Sequence, residues 1–246
     1  MNSRLAVLVK GELSRLNKYN VFSISILVTL IWGVILFLVN EELLGELLPM
    51  ILLLDSTMMS MMYIGSVMHF EKNESTISSM LITPTTNSEL VASKVIANVI
   101  HNLVNSILLI TVFAIFKGSS FHWSIPLLLL GVILSTSFFT IAGLVMGYYQ
   151  KDFTGMLVNI MIFGFGFLIP TILFQFSIIT GPVWENILLL NPVQAASEII
   201  AGSTDGYEFG YKFIVGLVYM GIGSIVVYLF LAIPKFQNYA IRQSGV

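Results

Sequence analysis

The sequence predicts an all-α integral membrane protein, and three observations carry that prediction. Apolar residues make up 57% of the 246 positions, charged residues only 10%, and mean hydropathy is +0.93, whereas soluble domains carry roughly a quarter charged residues. Six continuously apolar stretches stand at Val21 to Val39, Leu47 to Met68, Val95 to Phe116, Ile125 to Tyr148, Met156 to Ile179 and Phe213 to Ile233. Each is long enough to cross a hydrocarbon core of about 30 Å as a helix. None alternates with period two, which argues against a barrel, and a helix satisfies its own backbone in lipid. Six crossings with short loops use up the chain, so residues 1–246 read as one transmembrane domain with no room for a soluble one. Any energy source must then sit on another chain.

Residues 1–20 come first. Leu5, Leu8, Val9, Leu13 and Leu16 fall at helical spacing, with Arg4, Lys10, Arg15 and Lys18 elsewhere around the wheel, a pattern suited to an amphipathic helix lying in the membrane interface; a polar tail rich in bases is the plainer alternative. The first span reads as a retained helix, because its apolar run is too long for a signal-peptide core and no small-residue cleavage site follows. Orientation follows from the basic residues. With the amino terminus inside, Arg4, Lys10, Arg15, Lys18, Lys72, Lys94, Lys151, Lys235 and Arg242, nine of the eleven, fall in cytoplasmic segments, and only Lys117 and Lys212 fall outside. The expected topology is six spans with both ends in the cytoplasm.

The second span holds Asp55, the one carboxylate within an apolar run. An ionisable group at membrane depth is costly enough to mark function, unless it is protonated or hydrogen-bonded to a neighbouring helix. Met58, Met59, Met61 and Met62 follow, either as an adaptable surface or as ordinary core. Between spans two and three lies the main charged interruption, residues 70–86. In it Ile77 and Leu81 share a helical face, Glu71 and Glu74 precede the helix, Ser75 or Thr76 can cap it, and Pro84 ends it. A short surface helix is expected there.

In span three, Asn98, His101, Asn102 and Asn105 stand three, four and seven positions from the first, hence on one polar stripe that must face protein or water. Interhelical hydrogen bonds and a substrate path both fit that stripe. Gly143 and Gly147 in span four form a small-xxx-small pair that would let helices approach closely. In span five Gly164, Gly166 and Pro170 could permit a bend. Residues 180–212 then form an outer loop with room for short helices.

The run FEKNESTISSMLITPTTNSELVASKVI, residues 70–96, resembles the cytoplasmic loop of type-2 ABC exporter permeases. In that family an acidic pair, a Gly-Thr or Ser-Thr, a Leu-rich turn, a Thr-Pro and a later Lys recur in order. Here they are Glu71 and Glu74, Ser75 and Thr76, Met80 and Leu81, Thr83 and Pro84, and Lys94, with Ser75 standing where glycine is usual. Asn191-Pro192 and the residues after it similarly resemble the segment preceding the family's last span. The resemblance, closest in look to drug-export permeases of the fluoroquinolone-exporter type, implies a coupling helix that seats in a cleft of an ABC ATPase subunit. It also implies two such subunits carrying the ATP and Mg chemistry, no cofactor on this chain, a second permease subunit as identical copy or paralogue, and a bacterial cytoplasmic membrane.

Other classes fit less well. An intramembrane enzyme needs a nucleophile with its base, or metal ligands, but His69, His101 and His122 are scattered along the chain and cysteine is absent. A proton-coupled carrier would want a relay of several membrane-buried ionisable groups. An ion- or proton-coupled carrier or a membrane sensor is therefore the runner-up.

Overall fold

The computed structural model describes residues 3–39, 41–76, 80, 83–117, 124–150, 152–203 and 210–243, and only the backbone at Ser3, 41–46, 116, 117, 242 and 243. All regular structure among these is helical. In chain order the helices are α1 (Ser3–Lys18), α2 (Val21–Leu38), α3 (Glu41–Leu54), α4 (Ser60–Asn73), α5 (Asn87–Lys117), α6 (Ile125–Gly147), α7 (Phe153–Gln175), α8 (Pro182–Leu188), α9 (Pro192–Ala201), α10 (Tyr211–Val227) and α11 (Ile233–Gln243). A π-helical turn, Asp55–Met59, joins α3 to α4, and another, Tyr228–Ala232, joins α10 to α11. Pro234 accounts for the second, since its ring clashes with the carbonyl four residues back, at Phe230, and it has no N–H to give.

Among the described residues six helical stretches are long and apolar enough to span a membrane: Val21–Leu38, Leu47–Asn73, Asn87–Ile115, Ile125–Gly147, Phe153–Gln175 and Tyr211–Ile241. They coincide with the six apolar runs, but the second, third and sixth extend beyond them at the end where the loop of 70–86 lies. There polar residues continue the helix because caps and ion pairs satisfy them. Thr86 and Glu89 form a reciprocal capping box at the start of α5, with Thr86 N–H donating to Glu89 Oε2 at 2.9 Å and Glu89 N–H to Thr86 Oγ1 at 3.2 Å.

Between α1 and α2 the chain turns at Asn20, which takes φ 59°; asparagine tolerates this left-handed conformation better than most residues. Helix α1 then lies against α5, with Val9, Glu12 and Leu16 turned inward. Helix α2 buries only one stripe, Val21, Ser25, Thr29, Gly33 and Leu36, and leaves the rest of its apolar surface uncovered.

Packing depends on glycine facing methionine. A Cβ on Gly143 would stand 3.0 Å from the Met61 Cα, one on Gly147 2.8 Å from the Met68 sulfur, and one on Gly164 2.9 Å from Met58 Cε. The Gly143 and Gly147 pair therefore does let α6 approach α4, and Met58 and Met61 are core, filling what the glycines leave open. Helix α9 is not a surface piece. Its residues from Pro192 to Ser197 and Ile199 to Ile200 are buried, and it wedges against α6 and α10, where a Cβ on Gly131 would meet Ile199 Cγ2 at 2.7 Å and one on Gly216 the Ala195 carbonyl at 2.8 Å. Asn191 holds it in place. The Asn191 Oδ1 accepts from the N–H groups of Val193 and Gln194, while its Nδ2 donates to the Phe167 carbonyl at 2.8 Å and to Thr171 Oγ1 at 3.1 Å on α7. With Pro192 in the first turn, where no N–H is needed, this explains the Asn-Pro pair.

Candidate coupling site

Four charges meet in the interior where α1, α4 and α5 converge. Lys94 Nζ, on the second turn of α5, donates to both Glu71 oxygens at 2.5 and 2.6 Å and to both Glu12 oxygens at 3.1 and 3.2 Å. Arg15 Nη1 donates to Glu12 Oε1 at 2.5 Å and to Glu71 Oε1 at 3.2 Å. Glu71 is 0% exposed, Glu12 and Lys94 3% each, so in this quartet of two anions and two cations three charges are desolvated and Arg15 is half-buried at the edge. Each carboxylate touches both cations, the arrangement a buried ion cluster needs to offset its desolvation. Burial pulls the Arg15 guanidinium down, but Glu12 and Glu71 outweigh it and hold the group above its ordinary value.

Glu71 was expected as one of the partner-contacting residues at the start of a surface helix. Its carboxylate instead points into the protein from the last turn of α4, an end where the helix dipole disfavours an anion; Lys94 and Arg15 offset that. Glu74, the C-cap of α4, is exposed. Its carboxylate accepts from Lys18 Nζ at 2.7 and 2.8 Å and from the Tyr19 hydroxyl at 2.9 Å. These hydrogen bonds hold the Glu74 carboxyl below its usual value. Burial first, and then the Glu74 carboxylate, push the Tyr19 phenol up to about 12. Tyr19 also stacks on Phe70, ring centroids 4.8 Å apart.

Beyond Glu74 the chain reverses at Ser75, which has φ 53°. This is the left-handed region, so the position where the related loops carry glycine is one where glycine would be free of steric cost. Thr76 is half-buried, and Met80 is buried in the apolar cluster that includes Ile64, Met68, Leu90 and Val91. Thr83 Oγ1 donates to the Met80 carbonyl at 2.6 Å, and the Pro84 carbonyl accepts from Arg4 at 3.4 Å. Leu81 and most of the expected short helix, 77–79 with 82, lie outside the described residues. The loop thus divides. Glu71 and Met80 anchor it from within, while Glu74, Ser75, Thr83 and Pro84 are exposed on its surface.

Glu12 is the residue that sequence reasoning missed, and a signal for it existed. It lies four positions from Leu8 and Leu16 and three from Val9, on the apolar stripe of α1, where a carboxylate requires a buried cation.

The polar stripe of α5 serves two different seams. Asn98 Nδ2 donates to the Ser60 carbonyl at 3.0 Å and to Thr140 Oγ1 at 2.7 Å, tying α5 to α4 and α6. His101 turns the other way. Its Nε2 lies 3.0 Å from Ser25 Oγ of α2, and its ring meets Phe22 and Tyr63 edge-on at 4.6 and 4.9 Å. Asn102 Nδ2 donates to the Asn98 carbonyl at 3.1 Å. Asn105 is buried with neither side-chain polar atom hydrogen-bonded among the described residues. Asp55 opens the first π-turn and is half-buried.

Six helices long and apolar enough to cross a membrane, with a leader helix pinned to them by buried charge, define a multi-pass membrane protein. The sequence also matches the family model of the ABC-2 type transporter over residues 4–204, and the chain belongs to that family. It is thus the membrane permease component of an ABC transporter, a transport part whose partner in general is an ABC ATPase. No curated protein matches the chain.

Proposed function

We propose that this chain is the membrane-spanning subunit of a bacterial ABC exporter that moves an amphiphilic or hydrophobic compound, drug-like, lipid or peptide, out of the cell. Two separate ATPase subunits bind and hydrolyse ATP with Mg, and a second permease subunit, identical or paralogous, completes the path. Both termini face the cytoplasm, α1 lies along that surface, and the loop of 70–86 seats on the ATPase. The observation that carries this reading is the division of the loop, with Glu74, Thr83 and Pro84 exposed above an anchor formed by Glu71, Lys94, Glu12 and Arg15.

That geometry suits a lever. When ATP closes the two ATPase subunits, a push on the exposed loop residues is delivered through Glu71 and Lys94 into α4 and α5. A push shifts the permease only so far as the ATPase binds one conformation better than the other. Within the membrane, Asn98 and His101 are committed to neighbouring helices and hold the bundle, as their hydrogen bonds support. Asn105, Asn102 and Asp55 are then the side chains that would meet a passenger.

The test is co-purification of the tagged chain with candidate ATPase subunits, wild type against a Glu74→Ala, Thr83→Ala double variant. Capture by the wild type and loss in a variant of unchanged thermal stability is expected. Failure of the wild type to retain any ATPase would move the assignment to a carrier or a sensor.

A further inference from the structure

Helix α5 is bonded to its neighbours at one level and only packed against them beyond it. Asn98, one turn after Lys94 of the quartet, ties it to the Ser60 carbonyl of α4 and to Thr140 of α6. Between residues 99 and 115 no side-chain hydrogen bond crosses from α5 to α4 or α6 among the described residues. Yet this is the stretch that carries the amides. Asn102 Oδ1, both polar atoms of Asn105, Ser106 Oγ and, on α6, Thr136 Oγ1 are buried with no hydrogen-bond partner among the described residues, and so is the Oδ1 of Asn98 itself. None of these five residues is more than 3% exposed.

Helix geometry gathers them. Positions 98, 102, 105 and 106 lie within about 100° of one another around α5. Consecutive spans run antiparallel, so with Asn98 set against Thr140, Asn102 comes level with Thr136 one turn further on. Beyond that level the contacts of α5 are apolar, with Leu109 and Phe113 in the same core cluster as Leu128 of α6. A buried polar atom without a partner destabilises the conformation that encloses it, and five residues left so along one seam do not suit a contact that stays shut. Their unpaired atoms are enclosed too tightly for a water molecule to touch. Neither solvent nor a ligand can serve them unless the helices move.

We infer that the seam between α5 and its neighbours α4 and α6 is a joint that opens within a single chain, and that the conformation described here is its shut state. Asn98 is the hinge, because its two hydrogen bonds hold α5 at that level. Beyond it α5 swings away from Thr136, the contacts of Leu109 and Phe113 part, and water reaches Asn102, Asn105, Ser106 and Thr136. The unpaired polar atoms favour opening and the apolar contacts oppose it, the balance of a two-state element that a partner's push can tip. The joint goes beyond the permease reading and does not rest on it, because it is tested on the purified chain with neither ATPase nor passenger present.

The sequence contains no cysteine, so Ser106→Cys places one thiol in the seam with little change of shape. Its rate of reaction with 2-hydroxyethyl methanethiosulfonate, which consumes the thiolate and so reports where water reaches, is compared with that of Ser93→Cys. Ser93 is also on α5, before the hinge, 0% exposed and bonded to the Leu90 carbonyl at 2.8 Å. The seam thiol is expected to react about tenfold or more faster, since it needs only the local opening. Thr136→Val and Asn105→Leu, which remove unpaired polar atoms and keep the side chain's bulk, should each slow the Ser106→Cys reaction about fivefold or more and raise the unfolding midpoint by about 2–4 °C or more. Thr136→Val carries the reading if the leucine variant does not fold. Equal rates for the two thiols, or a Thr136→Val that fails to slow the reaction or lowers the midpoint, would overturn the proposal and leave the seam a fixed contact.

Discussion

Replacing Lys94 with methionine tests the quartet directly. The ammonium makes four contacts of 2.5 to 3.2 Å with the carboxylates of Glu12 and Glu71, and all three side chains are at least 96% buried. Methionine keeps the length and apolar stem of lysine, so little packing is lost and the change isolates the charge. Two buried carboxylates then share Arg15 alone, whose side chain is 25% exposed. Stranding a buried charge in this way costs about 3–5 kcal/mol.

The assay is unfolding of the purified protein in detergent, with Lys18→Met as the comparison, because the Lys18 pair with Glu74 is 60% and 40% exposed and should contribute little that can be measured. Adding Glu12→Gln to Lys94→Met should recover part of the loss, since one of the two stranded carboxylates is gone, and the coupling between the two changes should reach about 0.5–3 kcal/mol. If Lys94→Met unfolds no more readily than Lys18→Met, the quartet is not the anchor inferred from its geometry.

Two further outcomes follow from the packing and from the loop. Gly216→Ala should destabilise by about 1–3 kcal/mol, because its Cβ would meet the Ala195 carbonyl at 2.8 Å and backbone cannot swing aside, whereas Gly221→Ala, with nothing within 4 Å, should show no such loss by thermal unfolding. In tyrosinate absorbance, the difference between wild type and Tyr19→Phe should titrate near 12, and Glu74→Gln should move that step down towards the ordinary 10.0. A raised phenol favours folding below its ordinary value, so this contribution is lost as pH climbs from about 10 to about 12; the Glu74 carboxyl, held low, contributes above its ordinary value of 4.5 and loses that as pH falls through its native value.

The spans were legible in the sequence because bilayer thickness fixes the length of an apolar run. Their ends were less so. Glu71, Lys72 and Asn73 look like loop by composition, yet continue α4 because Lys94, more than twenty residues later, neutralises Glu71 within the protein. The loop motif marked a segment but not which of its residues face inward, since that depends on α1, a partner distant in sequence. Similarly, the stripe from Asn98 to Asn105 was visible as a stripe, but its division between Ser25 on one side and Ser60 with Thr140 on the other belongs to tertiary packing. The burial of α9 had a trace in Gly131 and Gly216, which make room for it, but nothing in their spacing names the helix they admit.

The quartet also divides evenly. Helix α1 brings one acid and one base, Glu12 and Arg15, already within hydrogen-bond reach of each other, and the bundle brings another such pair, Glu71 and Lys94. Each half is neutral by itself. The bonds from Lys94 to Glu12 and from Arg15 to Glu71 are the ones that cross between the two halves. A cut through the cluster between α1 and the bundle therefore passes between two neutral pairs, so the buried charge that fastens the helix carries no net charge on either side of the seam.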